Sequence, residues 1–402
     1  MLKKAMKVSR TDCTKASSDP SPLVASQGRI LGTCESFCPL KEEIERTESE
    51  DLSRFERPTA HARDLVAVKK YRRAAAGRDV LDASELRPAP VLLRTLHHLF
   101  TTVLSWPHSG FPTREGAKAN EFVAVYHFVS DRVRSVRQDF IVQRIEDVSL
   151  VTALEQIVRF YLLAGFRSIQ LLDDRKTDGD WSDHLNDQQL ISALARLQVL
   201  YEMHEVDNTH ALKNADEFLA YHILLHAHEP HQVLWILLKL SSKLRYMSKV
   251  QRAVRTFVAY QTDNFHIFFT EMNTMTFFEQ ISVLRHVSKI WIRSLHMMNK
   301  SVGKQDRFPL EDLARWMNIT ADAGPDLAEQ LCQAVNIQTQ RQATPSSIGY
   351  ATFKLTPLND KIDPQPIKRL LCNMASQIET KYLPHDVSRS TTKWIIRDIP
   401  SP

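Results

Sequence analysis

Glycine is scarce in this chain, 10 of 402 residues. That argues against a glycine-rich α/β nucleotide fold, whose loops need glycine where backbone must approach phosphate closely. "AAAGRD" (74–79) has one glycine and no Gly-Lys-Ser/Thr ending, and no Gly-x-Ser-x-Gly elbow occurs. Cysteine is scarce as well. The five (Cys13, Cys34, Cys38, Cys332, Cys372) are odd in number and dispersed, which argues against a secreted disulfide framework. Apolar runs such as "VLWILL" (233–238) are too short to span a bilayer, and "MLKKAMKVSRTDCTK" lacks the apolar core of a signal peptide. The expectation is a reducing compartment, nucleus and cytoplasm, without a membrane. A net charge of +5 permits nucleic acid or an acidic partner and demands neither.

Hydrophobic residues at 43% and charged ones at 25% suit a globular protein of two or three domains. Residues 1–29 are polar, carry "SSDPSP" and three early lysines (Lys3, Lys4, Lys7), and read as a disordered basic tail. From about residue 60 a helical period dominates. In "FVAVYHFVSDRVRSVRQDFIVQ" (122–143), Phe122, Tyr126, Val129, Val133, Val136 and Phe140 fall on one face, and Asp131 and Arg134 can pair at its edge. Similar patterns predict helices near 61–76, 88–104, 150–172, 186–204, 213–228, 231–243, 248–260 and 276–299, separated by breakers such as "SWPHSGFPTREG" and "DDRKTDGDWSD". Such helices stack as antiparallel pairs into a superhelix, although no fixed repeat is visible. The fold class expected is all-α: a helical-hairpin superhelix over 30–300, followed by a different unit.

That unit begins after "SVGKQDRF". "PLEDLARWMN" (309–318) and "GPDLAEQLCQAVNI" read as helices, and "GYATFKLTPL" alternates as a strand. The succession predicts a winged helix over 301–360, with strands confined to about 345–358. A C-terminal helix and tail complete 361–402.

Cys34 and Cys38, in "GTCESFCPLKEEIER" (32–46), lack a second ligand pair for a closed zinc site, and three intervening residues do not suit a redox pair. They read as small buried thiols packing the start of a helix whose first turn holds Pro39, Glu42 and Glu43. His222 and His226 have metal-clamping spacing, yet no glutamate in an HExxH arrangement accompanies them, and "LLHAHEPH" reads as a capped helix end. No metal, cofactor or catalytic set is expected. Arg132, Arg134 and Arg137, beside Asp131 and Asp139, either tie helices together or bind a ligand. Residues 231–262 hold six basic side chains (Lys239, Lys243, Arg245, Lys249, Arg252, Arg255) and no acid. Lys249, Arg252 and Arg255 share a helix face: a stripe for phosphates or an acidic peptide, or a solvated face balanced by acids elsewhere.

The ordered blocks "GTCESFCPLKEEIER", "KKYRRAAAGRD", "LRPAPVLLRTLHHLF", "FVSDRVRSVRQDF", "NDQQLISALARLQVLYE" and "NADEFLAYHILLH" resemble the SAC3/GANP family over roughly residues 30–300. The resemblance implies a non-enzymatic scaffold, a PCI-like helical solenoid ending in a winged helix. It also implies a PCI-domain partner, a small acidic subunit, and weak RNA binding in mRNA export through a transcription-and-export complex-two (TREX-two) assembly. Trp316 is then the candidate anchor for partner docking, and Lys354 on the wing a candidate RNA contact. This chain has no phenylalanine–glycine repeats before the domain and no long helix after it. Short members with this layout imply an alternative: centrosome duplication and spindle progression, with centrosomal partners and no nucleic-acid role.

Overall fold

The computed structural model describes residues 30–57, 66–73, 82–111, 116–171, 181–205, 211–303, 306–319, 324–341, 349–354, 357–358, 362–382 and Ile395. The basic tail, parts of the 61–76 and "KKYRRAAAGRD" segments, most of "DDRKTDGDWSD", Thr356 and nearly all of "KWIIRDIP" lie outside them.

The helices are α1 (Leu40–Glu48), α2 (Ala89–His98), α3 (Ala119–Val142), α4 (Val148–Leu171), α5 (Asp183–His204), α6 (Ala215–Leu225), α7 (Pro230–Lys239), α8 (Ser242–Arg245), α9 (Ser248–Gln261), α10 (Phe265–Thr274), α11 (Phe277–Ser301), α12 (Leu310–Trp316), α13 (Gly324–Ala334) and α14 (Pro364–Tyr382). Three strands, β1 (Arg307–Pro309), β2 (Gln338–Arg341) and β3 (Gly349–Thr352), form one antiparallel sheet ordered β1-β3-β2. All six apolar positions expected on one face of α3 are buried.

Helix α4 is the hub. Apolar nearly all round, it is buried along most of its length and packs against α2, α3, α5, α11 and α14. It is also the one described helix long and apolar enough to cross a membrane, but 78% of that window is buried inside the fold, as in a core helix. The expectation that apolar runs fall far short of a span therefore missed α4, whose few polar residues (Glu155, Arg159, Arg167) interrupt the run in sequence. Beyond α4 the superhelix continues through α5, α6, α9 and α10, and α11 returns along α4, α6 and α10.

A capping box starts α11, with Thr276 as N-cap and Glu279 reaching back to its backbone N–H at 2.9 Å. The winged helix follows directly. It is tied to α11 where the buried Trp291 indole N–H donates to the Met317 carbonyl at 2.8 Å. Helix α14 packs on α13 and returns to α11 and α4, so it belongs to the common core.

Three expectations are corrected. Residues 66–73 are not helical. Their backbone is satisfied by other segments: Val68 N–H donates to Glu56 (2.9 Å), Lys69 N–H to the Phe37 carbonyl (3.1 Å) and Lys70 N–H to Glu42 (2.8 Å). Strands are not confined to 345–358, because β1 and β2 flank β3; three-residue β1 ends in proline and the mostly exposed β2 is polar, so neither alternates visibly. Helix α10 was not anticipated, because "FHIFFTEMNT" reads as a short apolar run without a clear period.

Candidate partner and nucleic-acid interface

The cysteine-containing segment is the first half of a staple onto α3. Gly32 lies so close to the Leu86 carbonyl that a Cβ would sit 2.3 Å from its oxygen, so glycine is required there. Cys34 N–H then donates to that carbonyl (3.0 Å), and Gly32 N–H to Gln143 Oε1 (2.8 Å). Both thiols are buried, and burial together with the Glu42 charge pushes Cys38 up to about 12, leaving little thiolate for metal or redox work. Among the described residues no group of three or more His, Cys, Asp or Glu could hold a metal ion.

The rest of the staple is ionic. Glu56, fully buried, takes Arg46 and Arg132 (3.1 Å) on one carboxylate oxygen. Asp139 takes buried Arg87 and the Lys69 ammonium, each at 2.7 Å. Of the α3 arginines, Arg132 therefore ties elements together. Arg137 donates to Gln189 (3.2 Å) and Ser192 (2.9 Å) of α5. Arg134 does not pair with Asp131 as expected. It lies over the Tyr71 ring, 3.9 Å from its centre, while Asp131 pairs with Arg132 at 2.7 Å.

The histidines act as core and cap. His226 is the C-cap of α6, and its ring Nδ1 bonds the His222 carbonyl at 2.9 Å. Burial, with His226 beside it, lowers His222 to about 3.

The basic stripe is largely spent on its own fold. Arg252 clasps both oxygens of buried Glu279 (2.6 and 2.7 Å), Arg255 pairs with Glu271 (2.7 Å), and Lys249 lies 3.5 Å from Asp216. The acids absent from 231–262 come from α6, α10 and α11, which a local reading cannot place. Arg245 donates to the Leu240 carbonyl at 2.9 Å. Lys239 and Lys243 are exposed and pair with no described acid. Lys354 anchors the base of the wing. It has φ of +58°, its N–H donates to Asn299 Oδ1 (2.8 Å) and its ammonium donates to the Val302 carbonyl.

Trp316 ends α12 half-exposed. Its ring stands edge-on to Phe308, centres 5.9 Å apart, and Phe308 does the same to buried Phe353 at 5.5 Å. An aromatic chain thus runs from the core to an accessible indole. Two cations of the winged helix are compensated: Arg315 by Asp312 (3.2 Å), and Arg341 by Asp326 and Glu329.

The superhelix thus runs into a winged helix that presents a braced, half-exposed aromatic. The chain belongs to the SAC3/GANP family, whose model matches residues 37–341 and so extends through β2 of the winged helix. It is 25% identical to "SAC3 family protein B" of Arabidopsis thaliana over 72% of this chain and 17% of that protein. It is 30% identical to "SAC3 family protein 1" of Schizosaccharomyces pombe over 51% of this chain and 18% of that protein. It is 25% identical to "Protein xmas" of Drosophila melanogaster over 60% of this chain and 11% of that protein. The chain thus spans less than a fifth of the length of each of these relatives.

Proposed function

We propose that this chain is a non-enzymatic SAC3/GANP-type scaffold. It docks a PCI-domain partner, itself joined by a small acidic subunit, on the outer surface of its winged helix, and serves mRNA export from the nucleus in a TREX-two-like complex. The observation that carries this reading is Trp316: an indole half-open to solvent, held rigid through Phe308 against the core, at the end of the family's shared region. Rigid aromatics of this kind dominate interface energies.

RNA contact is weak and arises in the complex, since the cations of the stripe are mostly paired and the net charge is only +5. The same pairing supports a second reading, a centrosome and spindle role without nucleic acid.

The test is co-purification and titration with a PCI-domain protein. Trp316→Ala should weaken binding by roughly thirtyfold, the size of an interface hot spot, with helix content unchanged. Undiminished binding overturns the docking site. RNA binding by the complex should fall with salt and weaken on reversing Lys239 and Lys243 to glutamate. A complex that binds no RNA at low salt favours the second reading.

A further inference from the structure

Helix α7 has two apolar faces. Val233 and Ile236 are buried, as is Leu240 just past its end. Leu234, Trp235 and Leu238 lie on the opposite side and are 53%, 59% and 73% exposed. At positions i, i+1 and i+4 they form one ridge. Tyr246, the C-cap of α8, is 73% exposed. Helix α5 meets α7 on its buried side, where the Gln198 side-chain amide donates to the Ile236 carbonyl (3.4 Å), and the Ser241 hydroxyl donates to Glu205 (2.5 Å). Single exposed apolar residues are ordinary, but a gathered patch of a few hundred Å² marks an interaction surface.

Exposed cations edge this ridge. The Lys239 ammonium lies 5.1 Å from the centre of the Trp235 ring, and exposed Lys243 follows on α8. Neither is in an ion pair with a described residue, unlike Lys249, Arg252 and Arg255. Two carboxylates lie on the α5 side, Glu202 and the C-cap Glu205, which accept from the uncharged Gln198 (3.0 Å) and Ser241.

We propose that the outer face of α7 docks an acidic amphipathic helix from a separate protein. Leu234, Trp235 and Leu238 receive its apolar ridge, and Lys239 and Lys243 receive its carboxylates. Helix-on-helix recognition needs anchors at i, i+3/i+4 and i+7 on the ligand, and an indole beside an ammonium suits an apolar ridge edged by acid. The site uses no winged-helix residue, and it stands or falls independently of the PCI docking surface.

The probe is a fluorescein-labelled 18-residue peptide with leucines at i, i+4, i+7 and i+11 and glutamates flanking them. It is titrated into the purified full chain by anisotropy. Two controls carry the same leucines flanked by lysine, or the same glutamates without leucines. The acidic amphipathic peptide should bind at least tenfold tighter than either. Trp235→Ala and Leu238→Ala, both exposed and harmless to the core, should each cost about tenfold. Reversing Lys239 and Lys243 to glutamate should invert the preference to the basic peptide. Trp316→Ala should leave binding unchanged, which separates this site from the PCI reading. Equal binding of acidic and basic peptides, or binding indifferent to Trp235→Ala, overturns the proposal. So does sedimentation showing a dimer that Trp235→Ala dissolves, since the occupant is then a second copy.

Discussion

Replacing Arg252 by alanine should cost far more stability than replacing Arg255, although the two arginines look alike in sequence. Arg252 gives one guanidinium nitrogen to both oxygens of Glu279, whose side chain is 1% exposed. Without it, Glu279 keeps only the Thr276 backbone and hydroxyl donors, at 2.9 and 2.7 Å, and no countercharge. Breaking a buried pair costs about 3–5 kcal/mol. Arg252 is itself 21% exposed, so water partly compensates and the low end, about 3 kcal/mol, applies. Arg255 is 56% exposed, and its pair with Glu271 contributes less than about 1 kcal/mol. With a urea slope of about 3 kcal/mol/M, Arg252→Ala should lower the midpoint by about 1 M at unchanged slope, and Arg255→Ala by less than about 0.3 M. Combining Arg252→Gln with Glu279→Gln should recover much of the loss, because no charge is then stranded. Equal midpoints for the two alanine variants would refute the assignment of Arg252 as a structural group. The same asymmetry makes reversal of all three stripe residues a poor probe of RNA binding, since it would unsettle the junction of α9 with α11.

Acid should destabilise the protein. Burial lowers His222 and His286 to about 3 each, so below about 6.5 the unfolded chain takes up protons that the folded one refuses. Their contribution is present above 6.5 and is lost as pH falls toward 3, about 2 kcal/mol for each by pH 5. Glu155 opposes this. Burial raises it to about 7, so its contribution grows as pH falls from 7 toward 4.5. Stability measured from pH 7 to 5 should therefore fall more steeply in Glu155→Gln than in the parent, and coincident profiles would contradict the assignment. Thiol labelling mapped by mass spectrometry should modify Cys38 and Cys332 only on unfolding, since burial pushes each up to about 12. One stoichiometric zinc, lost on changing both Cys34 and Cys38 to alanine, would instead show a metal site.

Periodicity made the solenoid legible because most helices bury one face, as the six α3 positions do. It failed where structure is decided by distant partners. The N–H groups of residues 68–70 are taken by Glu56, Phe37 and Glu42, and no local pattern reports such bonds. β2 was missed because its polar edge segment takes its shape from pairing with β3. The candidate site divides the same way. The winged helix follows from local signals and Trp316 from the family resemblance, whereas the acids that balance the stripe are placed only when α6, α10 and α11 bring Asp216, Glu271 and Glu279 to it. The ridge on α7 lies in "VLWILL", which in sequence is only a short apolar run; burial shows that half of it faces solvent.

The return of α14 onto α4 bears on how the chain is made. Arg167 and Gln170 of α4 hold Glu379 of α14, at 2.7 and 2.8 Å, across 209 residues for the second bond. At about 5–20 residues per second, a ribosome delivers that second half roughly 10–40 s after α4 has emerged. During that interval a long, largely apolar core helix lacks one of its covers. Newly made chains therefore pass through a window in which α4 is open to chaperones and to aggregation. Substitutions in α14 that barely disturb the finished fold would be felt first as lowered yield.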